Sequence, residues 1–298
     1  MSGYSFGKIT LRHLNLLRDS VYFSDYRGCV RPEYPGIHFF GACVLLCCMY
    51  HRVEADKLSN SLPILERHFE YIRQNFQVVV PGEVLAADMV NLCMVFDDAS
   101  YSFYSYVFPL MQKFGIRVVL AVAPKFIIES AGHIPSSRRL GVPTDELMLD
   151  DRFAVDAPFC SWQELSEICA SGFVTIASHS FSHPNLLRFQ DTEDELVRSK
   201  KTLEENLRCK VDSFVYPYGQ FNRLIAERVR SRYKYSFAIG AGDNVSWDGV
   251  GGILFRAPAD DLKDPVSIFS KWNLRKYEIL RSRLFVKKWL MDRRSSIT

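Results

Sequence analysis

Two short polar clusters, each set directly after an apolar run, carry the chemistry that this sequence offers. Asp97-Asp98 closes the run Leu92-Cys93-Met94-Val95-Phe96, and His179-Ser180-Phe181-Ser182-His183 closes Phe173-Val174-Thr175-Ile176-Ala177-Ser178. Two adjacent carboxylates and two imidazoles four residues apart could supply three metal ligands and a general base, most of a hydrolytic metal site. On a helical turn the i, i+4 spacing puts both rings on one face, as in zinc-chelating pairs of other hydrolases. The structural alternative is a capping histidine and a surface histidine. For the aspartates, strand alternation sends neighbouring side chains to opposite faces. Both reach one site only if the backbone turns at Ala99-Ser100; otherwise they read as an N-cap pair for the next helix. In the functional reading one carboxylate binds a metal and the other does general-base work.

Two more clusters sit at strand ends. Tyr50-His51 ends the first apolar run, where a lone imidazole is either structural or a general acid. Tyr216-Pro217-Tyr218-Gly219 comes directly after Phe214-Val215. That loop is either a simple Pro/Gly turn or a way to aim the Tyr218 N–H at an oxyanion.

The elements that must position these residues alternate along the chain. Strand-like runs fall at 42–49, 78–80, 92–96, 117–123, 173–178, 213–216, 234–239 and 253–255, with helical segments at 62–75, 101–114, 161–171, 192–207 and 221–231. This rhythm predicts an α/β fold with a parallel sheet and helical crossovers. If the strands are parallel, all four clusters converge on one mouth, at the C-terminal strand ends where (β/α) barrels place their chemistry. Ser161 with Glu164 reads as a capping box, and the acidic run from Asp191 suits a helix start. The Gly/Pro/Ser/Asp-rich segment 128–160 breaks the rhythm and reads as a long insertion, an active-site flap.

Bulk properties exclude some classes. The 298 residues carry a net charge of +3, with 48% apolar and 24% charged residues, ordinary soluble globular values. A small, dispersed charge speaks against nucleic-acid binding. The eight cysteines show only the Cys43-x-x-x-Cys47 spacing, within a strand-like run, so a reduced, cytoplasmic chain is expected. The first residues lack the apolar core of a signal peptide, and 37–50 is too short to span a bilayer. Residues 1–36 read as an N-terminal extension and 263–298 as a basic amphipathic helix. Within 264–294, basic residues interleave with Trp272, Leu280, Phe285 and Trp289. Such a helix either closes the barrel with a solvated basic face or lies on an anionic membrane surface at the inner face.

Val95-Phe96-Asp97-Asp98-Ala99, Ser178 through Leu186 and Phe214 through Gly219 resemble the first three motifs of polysaccharide deacetylases, the NodB-homology domains of carbohydrate esterase family 4. The resemblance extends to Met49-Tyr50-His51-Arg52, to Trp162–Gly172 and to Phe255-Arg256-Ala257-Pro258, and the catalytic domain is taken as 37–262. It implies a distorted (β/α) barrel of about seven parallel strands. It implies Asp97 as general base, Asp98, His179 and His183 as ligands of a divalent cation, zinc for such a set, and the Tyr218 N–H at the oxyanion. His51 takes the general-acid place used by one branch of the family, since no histidine follows His183. Tyr216, Pro217 and Trp162 are expected to contact substrate. This chain has Ala99 where the family usually has Gly, and Val215 where an Arg often holds the base. The activity implied is removal of N-acetyl groups from an amino-sugar polysaccharide, oligosaccharide or lipid-linked sugar, with release of acetate. An O-acetyl esterase on the same site and a catalytically silent glycan-binding protein are the alternatives.

Overall fold

The computed structural model describes residues 44–55, 58–87, 89–130, 157–240 and 242–260, together with Met148, Asp264, Lys276, Ile279 and Leu280. Most of the expected flap and tail, and the whole N-terminal extension, lie outside the described residues. Among the described residues no helix is long and apolar enough to cross a membrane.

Seven parallel strands close into a ring: β1 (Val44–Tyr50), β5 (Val90–Phe96), β6 (Val118–Val122), β7 (Val174–Ser178), β8 (Ser213–Val215), β9 (Tyr235–Ile239) and β10 (Leu254–Pro258). Each pairs with the next, and β10 returns to β1, which also pairs with β5 along its whole length. Two short strands, β2 (Arg52–Val53) and β3 (Ser59–Asn60), form a separate pair. The run expected as a strand at 78–80 contributes only β4 (Gln77–Val78), which lies beside the first residues of β5 and outside the ring. Asn91 and Leu92 bond that stub before β6 takes over at Val95.

Among the described residues five helices cover the ring: α1 (Leu62–Asn75), α2 (Phe108–Phe114, entered through a wide turn at Phe103–Val107), α3 (Trp162–Ala170), α4 (Thr192–Leu207) and α5 (Arg223–Arg230). Their starts obey local chemistry. Ser161 Oγ accepts the Glu164 N–H while Glu164 accepts the Ser161 N–H at 2.8 Å, the reciprocal cap read from the sequence. Asp191 and Asn222 cap α4 and α5 through their side-chain oxygens.

Strand alternation divides the core in two. Leu45, Cys47, Cys93, Val95, Val119, Ala121, Ala177, Val215, Phe237 and Leu254 pack together inside the ring. Their neighbours in sequence, such as Leu46, Tyr50, Met94, Phe96, Leu120, Ile176, Phe214 and Phe255, pack outward against the helices. Both faces are buried, which is why these strands read as unbroken apolar runs. The same period of two assigns a direction to the polar residues at the strand ends. Asp97 shares the inward parity of Cys93 and Val95, His51 that of Leu45 and Cys47, His179 that of Ala177, and Arg256 that of Leu254.

Candidate active site

All of the chemistry gathers at the C-terminal ends of the strands. Asp97 N–H donates to the Tyr50 carbonyl at 2.8 Å, continuing the β1–β5 ladder and setting His51 beside Asp97. The Tyr50 and Phe96 rings stack at 4.9 Å just below, locking the two strand ends together. The turn required at Ala99 is present: Asp98 and Ala99 are both left-handed, with φ of 69° and 48°. Two successive left-handed residues swing Asp98 back toward the mouth, so both carboxylates reach it. Left-handed backbone is costly for any residue but Gly, which explains why glycine is the usual family residue where this chain has Ala99.

Asp98, His179 and His183 offer one ligand atom each within 4.8 Å of one another, and all three are buried. His179 Nε2 and His183 Nε2 lie 3.5 and 3.6 Å from Asp98 Oδ1, and 3.2 Å from each other. His179 Nδ1 donates to the Val215 carbonyl at 2.8 Å, which leaves the Nε2 lone pair facing the cluster. Burial, reinforced for His179 by His183, pushes both imidazoles down to about 4, so both are neutral donors at neutral pH. Converging electron-pair donors with a carboxylate among them suit a divalent cation. The donor set fits the cation that the sequence implied.

The loop bearing His183 is fixed by hydrogen bonds from within and from α4. Ser180 and His183 are left-handed, with φ of 61° and 54°. Glu195, buried on α4, accepts the Phe181 and Ser182 N–H groups at 2.8 Å each and the Ser182 hydroxyl at 2.6 Å. Ser180 Oγ accepts the His183 N–H at 3.1 Å.

Asp97 Oδ2 stands 4.0 Å from His179 Nε2 and 3.9 Å from His51 Nε2. Its Oδ1 accepts from Arg256 Nη1 at 2.6 Å. The guanidinium absent at position 215 is therefore supplied by β10, and Asp97 is held by it. Burial raises the Asp97 proton affinity, but the Arg256 charge, with His179 and His51 adding to it, outweighs burial and keeps the carboxyl below its usual range. His51 is bound on its far side: its Nδ1 is 2.6 Å from Asp260 Oδ2, and Asp260 Oδ1 accepts the His51 N–H at 2.9 Å. Burial alone would lower His51, yet the Asp260 hydrogen bond and charge overcome it and push it up to about 9. An imidazolium with Nε2 facing Asp97 is a proton donor at neutral pH.

The structure brings Asp97, Asp98, His179, His183 and His51 together. Tyr218 joins them at the rim, left-handed with φ of 57° and its ring 4.9 Å from that of His183. Pro217 is buried in the turn beside it. Tyr216 departs from expectation: its ring is fully buried in the outer layer against Phe214 and Phe221, so it serves packing and presents no ring to a sugar. Trp162, at the start of α3, is half-buried against the same outer layer. Arg256, Asp260 and Glu195 had no assigned role. One signal was available for Arg256, a charge inside the apolar strand Leu254-Phe255-Arg256-Ala257-Pro258 at an inward-facing position, which must find a partner.

Comparison with known proteins agrees with this geometry. Residues 87–236 match the polysaccharide deacetylase family model. The poly-β-1,6-N-acetyl-D-glucosamine N-deacetylase of Escherichia coli (strain K12) is 24% identical over 237 residues, covering 65% of this chain and 33% of that protein. This chain thus spans about a third of the length of the curated relatives it matches. A polysaccharide deacetylase from Bacillus cereus shares the fold at a TM-score of 0.63 and 15% identity, over 77% of this chain and 69% of that one. IcaB from Ammonifex degensii does so at 0.60 and 20%, over 79% and 97%. With the motifs in one ordered mouth and more than half of its length matched, the chain belongs to the polysaccharide deacetylase family.

Proposed function

We propose that this protein is a metal-dependent N-deacetylase of an acetylated amino-sugar polymer, releasing acetate and leaving a free amine. The observation that carries this reading is a held carboxylate, Asp97, 3.9 Å from a proton-bearing imidazole, His51, beside a three-residue set that could hold a metal. The relative in Escherichia coli is named for N-deacetylation of a poly-N-acetylglucosamine, which supports a polymer of that class as substrate.

Asp98, His179 and His183 would hold the cation. When bound, a divalent ion supplies Lewis acidity, easing both the ionisation of water and the build-up of charge on the acetyl oxygen. Asp97 Oδ2 takes the proton of the attacking water. Its Oδ1 stays pinned by Arg256, so the free oxygen keeps its direction through the reaction. The Tyr218 N–H, on the left-handed turn beside His183, would donate to the developing oxyanion. His51 Nε2 then gives its proton to the departing amine nitrogen, with Asp260 compensating the imidazolium until that moment. An amine is a poor leaving group unless protonated, so a charged His51 at this distance favours amide over ester hydrolysis.

Acetate release from β-linked N-acetylglucosamine oligomers tests the reading. Chelation is expected to abolish release and a divalent metal to restore it. Asp98→Asn and His183→Ala are expected to lose both bound metal and turnover. Undiminished acetate release by a metal-free variant would overturn the proposal.

A further inference from the structure

The pair β2–β3 stands apart from the ring, and none of the groups proposed for the reaction lies on it. Yet β2 follows His51 without a break, and β3 returns beside it with Asn60 at its end. Arg52 N–H donates to the Leu58 carbonyl at 3.2 Å and Glu54 N–H to the Asn60 carbonyl at 3.0 Å. The backbone of Asn60 is thereby fixed relative to that of His51. Val53 N–H donates to Ser102 Oγ at 3.1 Å, which ties β2 to the chain leaving the Asp98-Ala99 turn.

Asn60 is 3% exposed, and its Nδ2 donates to the Ala259 carbonyl at 3.1 Å, 199 residues away in the chain. That carbonyl and the Asp260 N–H share one peptide plane, so the bond fixes the plane from which Asp260 departs. Support is needed there. β10 ends at Pro258, which has no N–H to offer a ladder. Beyond it, Ala259 N–H donates to the Met49 carbonyl at 2.8 Å. Asp260 comes one residue later and must meet His51 twice, at its N–H and at its Nδ1. Packing does not explain an amide at position 60. Its Oδ1 is buried and meets no donor among the described residues. A buried amide with its acceptor unmet is costlier than an apolar side chain of the same size. What the amide contributes is direction at Ala259.

We propose that Asn60 is a positioning residue for proton transfer, and that β2–β3 is a brace that aligns Asp260 and, through it, His51. The inference rests on the reading of His51 as the proton donor. His51, β2, β3, Asn60, Ala259 and Asp260 form a closed circuit of bonds that returns to His51. Opening the circuit at Asn60 lets the Asp260 peptide plane turn, and His51 loses its fixed direction. Misalignment of a proton donor with the leaving nitrogen lowers kcat and leaves substrate binding intact.

The experiment compares the full chain with Asn60→Leu, Asp260→Asn and the double variant, all with zinc present, on β-linked N-acetylglucosamine oligomers. Asn60→Leu keeps the volume and removes both the bond and the unmet acceptor, so Tm is expected to stay within about 5 °C of the parent. Its kcat should fall about 10–100-fold with KM nearly unchanged. In the Asp260→Asn background the same substitution should cost less than about twofold, because what Asn60 aligns is already lost. Proton NMR of the same samples gives a readout that needs no substrate. The low-field signal of the His51 Nδ1 proton, assigned by its loss in Asp260→Asn, should broaden or vanish in Asn60→Leu. An unchanged signal, or an equal fold-loss of kcat with and without Asp260, would overturn the role of Asn60. A parent chain that releases no acetate would instead overturn the deacetylase reading, and the NMR signal then decides the brace by itself.

Discussion

His51 keeps its proton because Asp260 faces it, and this sets two pH dependences. Its ordinary value of 6.5 is raised to about 9 in the folded chain. A raised value means the folded state binds the proton more tightly, so its contribution is complete below pH 6.5 and lost as pH rises through 9. That contribution amounts to about 3 kcal/mol. Asp260→Asn is expected to remove it. In urea titrations of the metal-free chain, the variant should be less stable than the parent at pH 6, with the gap closing by pH 10. The same substitution should move the alkaline limb of kcat/KM to lower pH, since the acid then loses its proton earlier. A variant with an unmoved alkaline limb would show that the titrating acid is another group. The place of His51 at the mouth could be read from its strand-end position; Asp260 could not, because it lies 209 residues away and only barrel closure brings the two together.

At the scale of elements, the alternation of strands and helices was legible almost throughout, because hydrophobic runs of strand length and capped amphipathic segments report local physics. Local pattern does not report curvature, and here the turns decide the site. The segment Ser180–His183 is left-handed at both ends and held from outside by Glu195, a residue on the next helix that looked like any acidic first-turn residue. Removing the Glu195 carboxylate leaves two N–H groups and a hydroxyl without their acceptor, and His183 loses its fixed direction. Glu195→Ala is expected to weaken divalent-metal affinity by about 10–100-fold by equilibrium dialysis, with Glu195→Gln recovering part of it. Equal metal affinity in all three would confine Glu195 to folding. The turn after β5 gives a test of opposite sign. Ala→Gly inside a helix costs about 1 kcal/mol, but at Ala99, with φ of 48°, the glycine relieves left-handed strain. Ala99→Gly should leave stability unchanged or raise it by up to about 1 kcal/mol in chemical denaturation. A clear loss would mean that the packing of the Ala99 methyl outweighs the strain.

On the scale of the whole molecule, the ring closes at β1, between β5 and β10, and that seam holds the groups proposed to transfer protons. Asp97 comes directly after β5, His51 directly after β1, and Arg256 and Asp260 from β10 and just beyond it, while His179 and His183 come from the loop after β7. Asp97 and its guanidinium are thus on strands separated by β1, and they meet only if the ring is closed in the correct register. Arg256 is fully buried and Asp97 nearly so. A buried pair adds little over an apolar replacement of both partners, but removing one partner strands a charge at a cost of about 3–5 kcal/mol. Arg256→Leu should therefore lower stability by that order and raise the proton affinity of Asp97. The double variant Asp97→Asn/Arg256→Leu should be more stable than Arg256→Leu alone, although it removes a second native side chain. A urea-unfolding cycle over the parent, both single variants and the double variant measures this coupling directly. Additive losses would mean that Asp97 and Arg256 are held independently, each by its own strand; a coupling of about 2 kcal/mol or more would mean that the charge pair itself fastens the seam on which the proposed acid and base are aligned.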